Sequence, residues 1–211
     1  MNRNTTITQS STRTSLIALL LLAATIVATA LAFNAGSAHA ATKSFGSELD
    51  KSVQPSNAGT AHECPGFEGK KCTWVMNEAY GNPGGEESPK AGKLKSIELI
   101  AGEAGSFKLQ IVKTKNNGDS KLVANGPTIN YDGQTSQNYN TSHYNVEKFD
   151  VNMQIPAGAR LAIKTKETST LRCSSGGDNT LIHQPPLQAG AGFVHPDSDD
   201  GCWMLLEGHV S

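Results

Sequence analysis

Residues 1–40 of this chain contain no Asp or Glu, and after residue 33 there is no further apolar run of membrane-spanning length. The lack of a second run excludes a polytopic membrane protein. No Cys stands just after the run that does exist, which argues against a lipoprotein. Other absences narrow the chemistry. There is no Gly-x-Ser-x-Gly elbow, no His-Glu-x-x-His and no Gly-rich loop followed by Lys-Ser/Thr. The usual serine-hydrolase, zinc-protease and nucleotide-binding signatures are therefore missing. No cysteine pair has the C-x₂₋₄-C spacing of a structural zinc site. No segment carries a convincing amphipathic-helix period.

What is present begins with an export segment. Arg3 and Arg13 mark a basic stretch, followed by 18 largely apolar residues from Leu16 to Phe33. Ser37-Ala38-His39-Ala40 then meets the A-x-A rule, so residues 1–40 read as a signal peptide cleaved before Ala41. An uncleaved N-terminal helix is the alternative, because 18 residues lie near the lower limit for a span. It would be the only attachment to a membrane. The destination is extracellular, or the cell surface if the helix stays.

The mature part carries a net charge of −3, since residues 1–40 hold two Arg and no acid. That leaves no basic footprint for nucleic acid. All four cysteines, Cys64, Cys72, Cys173 and Cys202, lie beyond the export segment. An even count in an exported chain predicts two disulfides. Of the three connectivities we favour Cys64–Cys72, closing a short Gly/Lys-rich loop, and Cys173–Cys202, stapling a Gly/Ser/Asp-rich segment to the last strand. Each would contribute about 2–4 kcal/mol in the chain-entropy treatment.

Residues 41–63 are rich in Ser, Ala and other small or polar residues and read as a flexible linker before a domain over 64–211. Short β-type runs follow. Thr73–Met76 is the first, and Gly81-Asn82-Pro83-Gly84-Gly85 breaks the chain after it. Leu94–Ile100 and Phe107–Lys113 come next, joined by a Gly102–Ser106 segment that reads as a hairpin loop. In the latter run Phe107, Leu109 and Ile111 share one face, the mark of a half-buried strand. Lys121–Ala124 and Pro127–Tyr131 are weaker runs, and 132–145 is a polar loop. Phe149, Val151, Met153 and Ile155 line one face of the next strand, and Pro156-Ala157-Gly158 turns into Arg160–Thr165. Thr180–His183 and Gly192–His195 are short candidates, and Trp203–Val210 closes the chain. Eight or nine strands at this spacing predict an all-β fold, a single antiparallel β-sandwich.

Several stretches have a familiar pattern: Cys72-Thr73-Trp74-Val75, Pro89-Lys90-Ala91-Gly92-Lys93-Leu94, the strand Phe107–Lys113, Ile155–Ile163 with its Pro-Ala-Gly, and Leu205-Leu206-Glu207. Over about residues 70–211 this resembles uncharacterised secreted actinobacterial proteins with a jelly-roll-like β-sandwich domain. The resemblance implies fold and export and carries no activity with it. Ala159 stands where many such proteins have Asp, which removes a carboxylate from that turn.

Candidate sites are few. Tyr131, Tyr139 and Tyr144 cluster in an Asn/Gln-rich stretch and are expected to form an exposed platform, because flat rings stack on sugar faces and neighbouring amides bond hydroxyls. Trp74 and Trp203 lie near cysteines in strands and read as core or disulfide packing. Asp197, Asp199 and Asp200 offer three carboxylates to Ca²⁺ in a loop, although Gly208 occupies the twelfth position where an EF-hand has Glu. No other cofactor is expected. His183 and His195 flank a Pro-rich stretch and could together hold a transition metal, but the sequence shows no clear third ligand. Glu98, Glu147, Asp150 and Glu207 fall on strands, so an acid pair for glycoside hydrolysis is conceivable, but nothing selects one. The leading expectation is a non-enzymatic exported protein that binds a glycan or another cell-envelope component. The alternatives are a secreted hydrolase with unidentified acids and a membrane-anchored structural surface protein.

Overall fold

The computed structural model describes residues 41–49, 61–66, 69–134, 145–173 and 177–211, and residues 41–211 form one compact unit. Among the described residues there is no helix, and hence none long and apolar enough to cross a membrane. The export segment and its cleavage site lie outside the described residues.

The strands are β1 (Lys43–Gly46), β2 (His62–Glu63), β3 (Cys72–Met76), β4 (Gly92–Leu99), β5 (Gly105–Thr114), β6 (Ser120–Tyr131) and β7 (Glu147–Ile155). They continue as β8 (Arg160–Thr165), β9 (Glu167–Thr168), β10 (Leu171–Cys173), β11 (Thr180–His183), β12 (Ser198–Asp200), β13 (Cys202–Met204) and β14 (Leu206–Val210). One sheet has the order β1-β14-β4-β7 and the other β12-β11-β3-β8-β5-β6. Two ribbons, β10-β13 and β2-β9, complete the described part, and every pairing among the described residues is antiparallel. The protein is all-β with several antiparallel sheets, an arrangement consistent with a β-sandwich.

The period-2 patterns set the faces. Phe107, Leu109 and Ile111 of β5, Trp74 and Met76 of β3, and Leu161 and Ile163 of β8 join one buried cluster with Leu94, Ile97 and Leu206 of the four-stranded sheet. The outer side of the six-stranded sheet is covered at one end. There Leu187 packs on Val75, Val112, Leu122, Ala162 and Leu181. Beneath it runs a buried polar chain. The Leu187 N–H donates to Thr73 Oγ1 at 3.1 Å, Thr73 donates to Gln110 Oε1 at 2.8 Å, and Gln110 Nε2 donates to Asn125 Oδ1 at 2.9 Å. Each member is satisfied by the next, which is what makes Gln110 tolerable in a fully buried position.

Several expectations are corrected. Fourteen short strands stand among the described residues against the eight or nine expected, Trp203–Val210 is split between β13 and β14 of different sheets, and Gly192–His195 carries only an isolated bridge at Val194. The linker over 41–63 is strand-forming at both described ends: β1 pairs with β14, and β2 with β9. Phe45 is the reason for the first, because its ring is 1% exposed within the main core. Gly102–Ser106 does not close a hairpin, since β4 and β5 belong to different sheets and the segment crosses between them. Lys121–Ala124 and Pro127–Tyr131 are one strand, β6, carried past register shifts opposite β5. Pro127 is accommodated because β6 is an edge strand and a missing N–H there breaks no second ladder.

Both favoured disulfides are present, Cys64–Cys72 and Cys173–Cys202, and no cysteine is free. Two disulfides are typical of extracellular proteins.

Candidate ligand cleft

The β10–β13 ribbon builds the site. Cys202 and Met204 point inward, so alternation turns Trp203 outward, where it is only partly buried. Its register partner is Arg172, next to the Cys173–Cys202 disulfide that closes the ribbon. Trp203 meets the ring of Tyr80 edge-on, with centroids 5.6 Å apart and planes at 67°. The Arg172 guanidinium lies over Tyr80 at 4.3 Å from the ring centroid.

The Tyr80 segment is fixed by its main chain. Ser47 Oγ donates to the Met204 carbonyl at 2.6 Å and accepts the Tyr80 N–H at 3.0 Å. Glu48 N–H donates to the Tyr80 carbonyl at 2.8 Å, and Asn82 Nδ2 to the Gly46 carbonyl at 3.1 Å. The segment after β1 thus buttresses the loop. Between this loop and Trp203 opens a cleft of about 440 Å³, lined among others by Asn77, Glu78, Tyr80, Glu86 and Trp203. This lies in the size range of small-ligand sites. Glu86 is held 3.6 Å from Arg160 Nη2, and Asn77 Oδ1 accepts from Arg160 Nη1 at 2.8 Å. The cleft therefore offers one aromatic wall and a rim of hydrogen-bonding side chains.

A larger cleft of about 630 Å³ lies near the start of β5, with Lys108 and Lys164, opposite each other in register, among its walls. Its aromatic residues, Phe107 and Tyr131, are 2% and 3% exposed and present no ring face to a ligand.

The residues singled out from the sequence fall as follows. Tyr131 is not an exposed platform. Its ring packs on Phe107 with centroids 5.7 Å apart, and its hydroxyl accepts the Ser169 N–H at 3.4 Å. The inward phase of β6 puts it there, on the same face as Ile129. Tyr139 and Tyr144 lie outside the described residues. Trp74 is fully buried, as its setting suggested, whereas Trp203 is not.

The segment of Asp197, Asp199 and Asp200 is not a loop throughout, because β12 pairs with β11. Adjacent strand positions send Asp199 and Asp200 to opposite faces. Asp197 Oδ2 is engaged by the Gln184 N–H at 2.7 Å. These carboxylates are not brought together, and they are in neither of the two groups of metal-ligating side chains that converge among the described residues. One of those groups is His62 beside Cys173 and Cys202, whose sulfurs are committed to a disulfide. The other is Glu98, Glu207 and His209.

His183 and His195 are likewise in neither of these groups. His195 is exposed and its Nδ1 lies 2.9 Å from Asp119 Oδ1, a contact that, together with Asn117, holds the Asp119 carboxyl below its ordinary pKa. His183 is fully buried, and burial pushes its pKa down to about 4 against the opposing pull of Asp197 and of a hydrogen bond to the His195 main chain. Of the strand acids, Glu147 accepts the Asp132 and Gly133 N–H groups at 2.9 and 2.8 Å.

No protein-family model, curated protein or solved structure matches the chain.

The sequence did carry one signal for Trp203. Cys202 and Met204 flank it at alternate positions, so a disulfide-bonded, inward Cys202 already places the indole on the other side.

Proposed function

We propose that this protein is an exported, non-enzymatic binding protein whose ligand is a glycan of the cell envelope or its surroundings, held in the cleft between Tyr80 and Trp203. The observation that carries this is the partly exposed Trp203 indole on the wall of a cleft whose rim holds Asn77, Glu78 and Glu86. An indole face covers the apolar side of a sugar ring, and amide and carboxylate oxygens accept its hydroxyl protons. The disulfide at Cys202 and the Tyr80 edge hold the indole before a ligand arrives, which lowers the ordering cost of binding. The jelly-roll-like sandwich and the kinship with secreted actinobacterial proteins belong to this same reading. So does release at Ala41, which N-terminal sequencing of the exported protein checks directly.

The chain contains two tryptophans, and Trp74 is 0% exposed. Intrinsic fluorescence therefore reports the cleft through Trp203. Titration with soluble neutral and acidic oligosaccharides is expected to shift or quench the emission, and Trp203→Phe to remove most of that change. Trp203→Ala is expected to abolish retention on a glycan array. A panel without any spectral change, or retention unaffected by Trp203→Ala, refutes the cleft as the site. Release of shorter sugars from an oligosaccharide would establish the hydrolase reading instead.

A further inference from the structure

The outer face of the four-stranded sheet carries an arrangement that glycan binding does not use. Glu207 on β14 and Glu98 on β4 are direct register partners, so two carboxylates face each other across one antiparallel pair. Like charges in that position destabilise a sheet. His209 follows two residues after Glu207 and so shares its face. The ligating atoms of all three residues lie within 4.8 Å of one another. Glu98 and His209 are mostly covered, with side chains 24% and 20% exposed.

The imidazole supplies the telling detail. His209 Nε2 sits 3.3 Å from Glu98 Oε1, yet it is shielded from water and makes no hydrogen bond of good geometry. Two ligands at zinc-bond lengths of about 2.0–2.2 Å on a tetrahedral ion stand about 3.4 Å apart. The observed spacing suits two ligands sharing a cation between them. Lys148 already reaches this point from β7, with Nζ 2.8 Å from the same Glu98 oxygen. It is the exposed member of the group and supplies one positive charge against two carboxylates.

We propose that Glu98, Glu207 and His209 form a binding site for a divalent first-row transition metal, with zinc as the representative ion. One imidazole nitrogen with two carboxylates favours such an ion over Ca²⁺ or Mg²⁺, which take oxygen ligands. Three protein ligands leave the remaining coordination to water. Because all three residues stand on paired strands, the ion would clamp β4 to β14, the central pair of this sheet. The site is independent of the Tyr80–Trp203 cleft, which none of its residues lines.

The test is calorimetric titration of the untagged full chain with ZnCl₂, with CaCl₂ and MgCl₂ in parallel. One zinc ion per chain is expected at this site, lost in both His209→Ala and Glu207→Gln. Thermal melts of each variant without metal report whether it is folded, and Glu207→Gln keeps the size of the side chain. Lys148→Ala removes a competing cation about 4 Å from the divalent ion and is expected to tighten zinc binding by roughly thirtyfold at low salt. Absence of zinc binding overturns the proposal, as do zinc binding unchanged in the two ligand variants, calcium binding as tight as zinc, and a Lys148→Ala affinity equal to that of the parent.

Discussion

Replacing Phe45 by Ala tests the least expected feature of the fold, the docking of the segment after the export sequence. Phe45 is 1% exposed, and its register partner across the β1–β14 pair is Gly208. The ring lies over that glycine so closely that a Cβ on Gly208 would stand 2.6 Å from Phe45 Cε1. Core Phe→Ala changes cost about 3–5 kcal/mol, because the transfer energy of the ring is lost and the cavity closes only in part. A domain of this size loses about 2–4 °C of melting temperature per kcal/mol, so Phe45→Ala is expected to melt about 6–20 °C lower. Lys43→Ala, on the same strand but exposed, should stay within about 0.5 kcal/mol. Urea unfolding followed by far-UV circular dichroism measures both, with calorimetry for the melting temperature. A cycle with Gly208→Ala sharpens the test. That change should be strongly destabilising beside Phe45 and much milder in the Phe45→Ala background, where the new methyl has room. A loss below about 1 kcal/mol for Phe45→Ala, or strict additivity in the cycle, would refute the packing described and return residues 41–49 to a loose arm.

Two further outcomes are expected. Thr73→Val keeps the shape of the side chain but leaves the buried Gln110 Oε1 and the Leu187 N–H without their partner. A cost of about 2–4 kcal/mol in urea unfolding is anticipated, and a change within about 0.5 kcal/mol would show that the polar chain is not needed. His183 is held at a pKa of about 4 in the folded protein against an ordinary 6.5, so between those values the unfolded chain binds the extra proton. Its contribution is fully present above about pH 6.5 and is lost as pH falls toward 4. The difference in unfolding free energy between the parent and His183→Gln should therefore change across that window and be level above it, whereas a constant difference from pH 4 to 8 would contradict the buried neutral imidazole.

Much of the local structure was legible along the chain. The alternation in Phe107–Lys113 and in Phe149–Ile155 depends only on the two-residue strand repeat, and those residues occupy the faces it assigns. β5 and β6 form a true hairpin across Asn116-Asn117-Gly118-Asp119, residue types that favour a turn. The disulfide pairs are the favoured ones of three connectivities that the sequence left open. The site was far less legible. A polar composition around Tyr131 pointed to solvent, but the phase of β6 aims that ring at Phe107, and phase is set by pairing with β5. Trp203 looked like core because it adjoins a cysteine, and its outward aspect depends on which way the β10–β13 ribbon faces.

By itself, the sequence determined the strand periods and the turns, because each rests on neighbours within a few residues. Only the tertiary structure decided which strands share a sheet. Both the 100–104 and the 156–159 connections resemble hairpin turns, yet each leads from one sheet to the other. It likewise brought Glu98 opposite Glu207 and His209, and Tyr80 against Trp203, across more than a hundred residues of chain. Such meetings depend on packing the apolar faces of both sheets into one core, a condition on the whole chain that no local window contains.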